Sequence, residues 1–434
     1  MKVRYAAAGL AAALAISLSA CGTGGPTRSG SGAGKSGGIT VWAITGGYND
    51  VYTNSVNAFE SGAGQKANLQ LFQSDAYKEK IRVSLGAGNP PEVFENWGGG
   101  GLKDLVKNGL VQDLTATVNG DPQLKSRFIP SLLDSATFDG KIYGVPMNGL
   151  SPAVVFYNKK IFTKYNLTPP KTFDDLLALA GTLKSHDVTP FALGGAQKWP
   201  ELMFEEYLID RIGGQDVVNK ILSGAPNAWS DPSVVQASTL ARRLVGEGGF
   251  QKGFAATSYD TGQATALLYT GKAAMELMGA WEYASIKKAD PDMLKNGDLG
   301  WFAFPQVSGG KGDPSSLEGN PANYYSIAAK SAKPQVGVDY LKKAVMSPTY
   351  VDDLIKNGRT PPVPGIAGKL AAGPDGAWNS YVYGLAQKSA HYTLSWDQAL
   401  PPATADTLLT NVSQLFLGKL SPQAFSAAMD KAAG

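Results

Sequence analysis

From Ile39 onward the chain alternates short β-rich runs with amphipathic helical stretches, and this alternation restricts the possible folds more than any other feature. Ile39-Thr40-Val41-Trp42 reads as a strand, and Val51, Tyr52, Ser55, Val56 and Phe59 then recur near a 3.6 period, with Asn49 as expected cap and Gly62 as stop. Asn68 to Phe72 alternates as a strand, and Asp75 caps a helix carrying Tyr77, Ile81 and Leu85. Gly88-Asn89-Pro90-Pro91 breaks the chain before a short strand from Glu92 to Glu95. The same grammar resumes near Ser151. A strand over Val154 to Tyr157 leads to a helix capped by Thr172 and running from Phe173 to Leu183, and Pro190 to Leu193 is the next strand. Thr261 to Tyr269 reads as a helix, Ala274 to Met278 as a strand, and the stretch with Leu408, Val412, Leu415 and Phe416 as helical, with a further helix starting at Ser421-Pro422. Strand and helix at this spacing form βαβ units, so the expected class is α/β with mainly parallel sheets flanked by helices. There is no repeat of 20–50 residues, which excludes a solenoid.

The first 38 residues follow none of this grammar. Lys2 and Arg4 precede an uncharged Ala/Leu run from Ala6 to Leu18, too short to span a bilayer and built like a secretory signal peptide over 1–20. Leu18-Ser19-Ala20-Cys21 resembles the lipobox of bacterial lipoproteins, which implies cleavage before Cys21 and lipid on its thiol. Two or more acyl chains give stable anchoring where one does not. Residues 22–38 are Gly/Ser-rich with nothing to anchor a core, so 21–38 is expected to be a lipidated cysteine and flexible tether. Gly32-x-Gly34-x-x-Gly37 and Gly34-x-Ser36-x-Gly38 match nucleotide and nucleophile motifs in letters only, because both mechanisms need a preceding strand.

Composition removes whole classes of function. Lys+Arg 39 against Asp+Glu 36 leaves a formal charge of +3, without the clustered basic charge that phosphate backbones demand, so no nucleic-acid partner is expected. With 2 His and 1 Cys, neither a four-ligand His/Cys zinc site nor an internal disulfide can form, and no cofactor or metal is expected. The chain is instead rich in aromatics, with 8 Trp and 18 Tyr.

Several segments together resemble the family 1 extracellular solute-binding proteins of ABC sugar importers. They are Gly88-Asn89-Pro90-Pro91-Glu92-Val93; Asp139-Gly140-Lys141-Ile142-Tyr143-Gly144-Val145-Pro146; Val155 to Phe162 followed by Pro169-Pro170-Lys171-Thr172-Phe173; and Tyr269-Thr270-Gly271-Lys272-Ala273-Ala274-Met275 through Gly279-Ala280-Trp281. Glu92 stands where the family has Asp, and Phe173 where it often has Trp. The resemblance implies a two-lobed periplasmic-binding-protein-like fold, with an N-terminal lobe of 39–147 plus 321–358 and a C-terminal lobe of 148–320 plus 359–434. Ligand would be caught in the interlobe cleft as the lobes close about a hinge. It also implies a monomeric, lipid-anchored receptor on the extracellular face of the cell membrane, delivering its ligand to ABC permease subunits, and not an enzyme.

In open α/β sheets ligands bind beyond the carboxyl ends of the strands. Four loops leaving expected strands carry aromatic or amide groups: Thr45 to Asn49, Asn96-Trp97, Met147-Asn148, and Ala280-Trp281-Glu282. A pyranose offers an apolar C–H face and a rim of hydroxyls, matched by a flat aromatic with amides and carboxylates around it. A neutral oligosaccharide is therefore the expected ligand, and the family resemblance together with the Gly-rich tether implies a plant-polysaccharide fragment such as xylobiose. Trp281 corresponds in the family to an aromatic platform, with core packing as its alternative. Trp97 and Trp199 divide between ligand and core, as does Trp396; Asn49 between ligand and helix cap; Asn148 between ligand and hinge. Asn96, Glu201, Glu282, Glu318, Asn320 and Asp397 complete the candidate set. Trp42 and Trp301 are expected in the core, Trp229 and Trp378 in surface or lobe packing, and His391 at the surface. Two other readings stay open: a secreted glycoside hydrolase, which needs two carboxylates flanking one bond, and a receptor for a non-sugar solute such as glycerol phosphate, an osmolyte or a metal complex.

Overall fold

A computed structural model describes residues 38–434. The expected signal segment, Cys21 and the tether up to residue 37 lie outside the described residues. Two sheets organise the rest. The first orders its strands Ala67–Phe72, Ile39–Ile44, Val93–Asn96, Tyr324–Ile327 and Val145–Pro146. The second orders Tyr392–Leu394, Leu317–Asn320, Ser151–Asn158, Ala273–Gly279 and Thr189–Ala192, with Leu299–Phe302 also paired to Ser151–Asn158.

Both faces of the first sheet are covered, which explains why Ile39–Ile44 is apolar at every position but Thr40. Val41 and Ala43 point to the main core, while Trp42 and Ile44 belong to a separate core with Tyr77, Leu85, Phe94 and Leu102. This second core is closed by the helices Ser74–Gly86 and Gly99–Lys107. Trp229 and Trp378 are fully buried, deeper than a surface assignment would allow, and Trp301 packs edge-on to Trp378 at 5.2 Å.

The sheets are mixed, which corrects the expectation of mainly parallel pairing. Ile39–Ile44 runs parallel to both its neighbours, but Tyr324–Ile327 is antiparallel to Val93–Asn96 and to Val145–Pro146. Ser151–Asn158 is antiparallel to Ala273–Gly279, Leu317–Asn320 and Leu299–Phe302. The cause is connectivity. Strands Tyr324–Ile327 and Ser151–Asn158 begin where the chain crosses between sheets, so they start at the edge where their neighbours end: Tyr324 pairs with Asn96, and Ala153 with Gly279.

Helix starts follow the local chemistry with two adjustments. Thr172 forms a full capping box with Asp175 at the head of Phe173–Ser185. Asn49 is not the cap of Asn49–Ala63; its Oδ1 accepts from the Gly46 N–H at 2.7 Å and its amide donates to Thr45 Oγ1 at 2.9 Å, bracing the loop before the helix. Asp75 likewise lies inside its helix, with Gln73 at the cap position.

Three crossings join the sheets, and hydrogen bonds tie them together. The Met147 N–H donates to the Asn323 carbonyl, and the Leu150 N–H to the Thr360 carbonyl, both at 2.8 Å. Tyr350 donates its hydroxyl to the Met147 carbonyl at 2.6 Å. Arg359, fully buried, donates from Nε and Nη2 to Asn148 Oδ1 at 3.2 and 3.1 Å, and from Nη2 to the Gly149 carbonyl and to Ser151 Oγ at 3.2 and 2.8 Å. Its guanidinium also lies 4.8 Å from the centre of the Tyr48 ring.

Candidate functional site

The strand ends of the two sheets face one cleft, with a cavity of about 450 Å³ between them. From the first sheet come the Thr45–Tyr48 loop, Gln73 and Ser74 after the Ala67–Phe72 strand, and Trp97 after Val93–Asn96. From the second come Trp281 and Glu282 after Ala273–Gly279, Trp199 at the head of its helix, and Tyr259, Asp260 and Tyr269. The crossings supply Asn148, Ser151, Asn320 and Asn323 at the floor.

Eight candidates from the sequence line this cavity: Asn49, Trp97, Asn148, Trp199, Trp281, Glu282, Asn320 and Asp397. Four do not. Asn96 is buried beneath it, its amide on Ser326 Oγ at 2.8 Å and its Oδ1 taking the Gly98 N–H at 3.0 Å, so it shapes the turn that presents Trp97. Glu201 and Glu318 are enclosed in the second lobe. Trp396 fills its core, edge-on to Trp229 at 5.7 Å.

The aromatic wall is locked by a hydrogen-bond chain. Trp281 Nε1 donates to the Tyr259 hydroxyl, which donates to Glu282 Oε2, both at 2.7 Å. Trp199 meets Tyr259 edge-on at 4.9 Å and Trp281 at 6.1 Å. The Trp281 ring folds over Gly279, where any Cβ would collide with it; the glycine two residues earlier makes room for the platform. Burial pushes the Glu282 carboxyl up, opposed by Thr265 and Tyr259. Burial, and then the neighbouring Glu282 charge, push the carboxyl of Glu276, behind it on the strand, further up.

At the floor, Asn148 is oriented from both sides. Its Oδ1 is committed to Arg359 and to the Gly149 N–H, and its Nδ2 donates to the Tyr48 hydroxyl at 3.2 Å. Glu95 accepts from the Ile44 N–H at 2.8 Å and from Asn323 Nδ2 at 2.6 Å. Burial nevertheless pushes its carboxyl up to about 7, against those donors and Arg359. Tyr48, Tyr259, Lys78 and Asn323 were not among the sequence candidates. Tyr48 lies in a loop singled out in the sequence, and Gln73 directly follows a strand, so the strand-end rule reaches both. Tyr259 sits in a turn that follows no strand.

No group of three or more His, Cys, Asp or Glu among the described residues could hold a metal ion, and no helix among them is long and apolar enough to cross a membrane. Two mixed sheets with a shared, aromatic-walled cleft define a two-lobed binding protein. The model of the bacterial extracellular solute-binding protein family matches residues 45–342, and the chain belongs to that family. An uncharacterized ABC transporter extracellular-binding protein of Pyrococcus horikoshii is 34% identical over 197 residues, 45% of this chain and 43% of that protein. The chain thus spans about half the length of the first curated relatives, 43% and 58%. The diacetylchitobiose binding protein of Streptomyces coelicolor is 28% identical over 369 residues, 83% of this chain and 82% of that one. Among solved structures, one from work on xylan utilization by the thermophilic bacterium Caldanaerobius polysaccharolyticus gives a TM-score of 0.81 at 27% identity, covering 91% of this chain and 99% of its own. A chitin oligosaccharide binding protein gives 0.80 at 25%, covering 92% and 98%.

Proposed function

We propose that this chain is a receptor that captures a neutral oligosaccharide in its interlobe cleft and hands it to the permease of an ABC importer. The lobes are 39–147 with 321–358 and 148–320 with 359–434, and Cys21 carries the lipid that holds the monomer at the outer face of the cell membrane. The supporting observation is the cleft lining: Trp97 on one side, Trp199, Tyr259 and Trp281 on the other, and Asn49, Asn148, Asn320 and Asn323 at the rim and floor. Flat aromatics bind sugar C–H faces while amides bond hydroxyls, and among the described lining residues only Lys78 and Lys288 are basic. The described relatives that bind diacetylchitobiose or chitin oligosaccharide, and the one from xylan utilization, make β-linked oligosaccharides the first ligands to try.

A thermal-shift screen with xylo-, cello-, malto-, chito- and galacto-oligosaccharides tests this reading, since a ligand that binds only the folded state raises the melting temperature. A rise with at least one, and no release of reducing ends, is expected; no shift with any, or hydrolysis, overturns it. With the best ligand, Trp281→Ala weakens binding by about 1–3 kcal/mol, the scale of one aromatic stacking platform. Titration calorimetry on the folded variant measures this, and unchanged affinity removes Trp281 from the contact. Cys21→Ser is expected to shift the protein from the membrane fraction to the medium, read by fractionation and immunoblot. Retention in the membrane refutes the anchor.

A further inference from the structure

Across the cleft mouth lies a group of charges that a neutral ligand has no need of. Lys78, on the helix Ser74–Gly86 of the first lobe, places Nζ 3.2 Å from Asp397 Oδ2, on the short helix Trp396–Ala399 of the second. The Asp397 side chain is only 6% exposed, and the same oxygen accepts from Gln398 Nε2 at 2.6 Å. The ammonium also stands 5.2 Å from the centre of the Trp97 ring, so one cation touches both a cleft wall and the opposite lobe. Beside it the Asp75 N–H donates to Asp260 Oδ2 at 3.4 Å, again across the mouth. Three carboxylates, Asp75, Asp260 and Asp397, therefore meet at the mouth, with Lys198 on the second lobe nearby and Lys78 as the first lobe's cation among them.

We propose that Lys78 and Asp397 form an electrostatic latch that stabilises the closed state, and that Asp397 acts through this latch and not by accepting a sugar hydroxyl. The inference rests on the reading of the cleft as a neutral-oligosaccharide site. Opening the lobes separates Lys78 from Asp397. Closing them without Lys78 brings Asp75 of the first lobe against Asp260 and Asp397 of the second with only Lys198 left to offset them. The shielded Asp397 carboxylate fixes the geometry of the pair, while the Lys78 side chain stays 31% exposed, within reach of the ions that screen it. Affinity for an uncharged ligand then depends on ionic strength, because the charges that respond to salt belong to the latch. The latch acts after encounter, so it slows ligand release and leaves capture unaffected.

The test uses the full chain with the oligosaccharide that gives the largest thermal shift, at roughly 20 mM and 500 mM NaCl, across the screening range. Wild type is expected to bind several-fold more weakly at high salt. Lys78→Met and Asp397→Asn are expected to bind about tenfold more weakly at low salt, through faster release, with little remaining salt dependence. The swap Lys78→Asp with Asp397→Lys should recover part of the affinity and of the salt response. Single variants that bind like wild type overturn the latch. So does a loss of the same size at both salts, which would make Asp397 a direct sugar contact. If no oligosaccharide binds, the reading of the site has failed, and the latch is judged on the ligand-free protein by small-angle scattering. A larger radius of gyration in Lys78→Met than in wild type at low salt supports it, and equal radii overturn it.

Discussion

Replacing Arg359 by Ala is expected to destabilise the protein by about 3–5 kcal/mol, the range seen when one partner of a buried charged network is removed. The side chain is fully buried and spans the third crossing to the first, with Asn148 Oδ1, the Gly149 carbonyl and Ser151 Oγ as its acceptors. Truncation leaves those acceptors short of donors and opens a cavity beneath Tyr48, which loses the guanidinium at its ring face. Arg359→Lys keeps the charge but not the planar fork, so one ammonium must replace a donor pair that now reaches three groups. That variant is expected to fold with a smaller loss and to bind ligand more weakly, because Asn148 and Tyr48 line the cleft. Chemical denaturation and calorimetry on both variants separate the two effects. Stability equal to wild type in Arg359→Ala would show that the crossings are held by backbone bonds alone.

The second large effect is on pH. Glu201, Glu205 and Glu206 occupy consecutive turns of the helix Trp199–Gly213, buried against the helices Pro232–Gly246 and Pro402–Phe416 and the strands Ala273–Gly279 and Leu317–Asn320. Burial pushes each of the three carboxyls up to about 8, against partial compensation from Ser413 and Lys198 for Glu201, from Ser238 for Glu205, and from Ser395 and the Trp396 N–H for Glu206. Their folded-state values lie above the unfolded value of 4.5, so the folded protein holds protons that the unfolded chain gives up. Their contribution is complete below about pH 4.5 and is lost as pH rises towards 8, at up to about 1.4 kcal/mol per group per pH unit. Glu95, raised to about 7, acts in the same direction. Exposed acids whose carboxyls are lowered, such as Asp113 and Asp313, oppose it only in more acidic solution. The melting temperature is therefore expected to fall from pH 5 to pH 8. Glu205→Gln, which retains an acceptor for the Ser238 hydroxyl, should raise stability at pH 8 and flatten the curve. A level profile for the wild type over that range would contradict the assignment.

Most of the architecture was readable because periodicity reports burial. The two-faced apolar run at Ile39–Ile44, the Thr172 capping box and the Gly88–Pro91 break all act through neighbouring residues, and their elements appear within a few positions of where the pattern put them. Strand direction was not readable, since a strand looks the same whether its chain arrives from its own lobe or across a hinge. The site divides in the same way. Loops that leave strands delivered Trp97, Asn148 and Trp281 to the cleft, but the partner that orients Trp281, Tyr259, is brought in by tertiary packing alone. Glu201 was a candidate for the cleft, yet its helix is enclosed on several sides, and burial takes the carboxyl into the core and pushes it up to about 8. Trp396 and Asp397 show how finely this resolves: adjacent on one short helix, one fills a core and the other faces the cleft.

The lobes also meet through bare backbone. Gly47 packs on the Ala284 carbonyl at the start of the helix Glu282–Ala289, and Gly99 and Gly100 pack on the Gln398 and Leu400 carbonyls, leaving no room for a Cβ at any of the three. Gly99 also has φ +60°. The spacing across this seam is consequently gauged by peptide units and cannot be narrowed or padded by exchanging rotamers. Such a seam separates two design variables: the residues that line the cleft are free to diverge and retune which ligand fits, while the spacing of the elements that frame it stays constant.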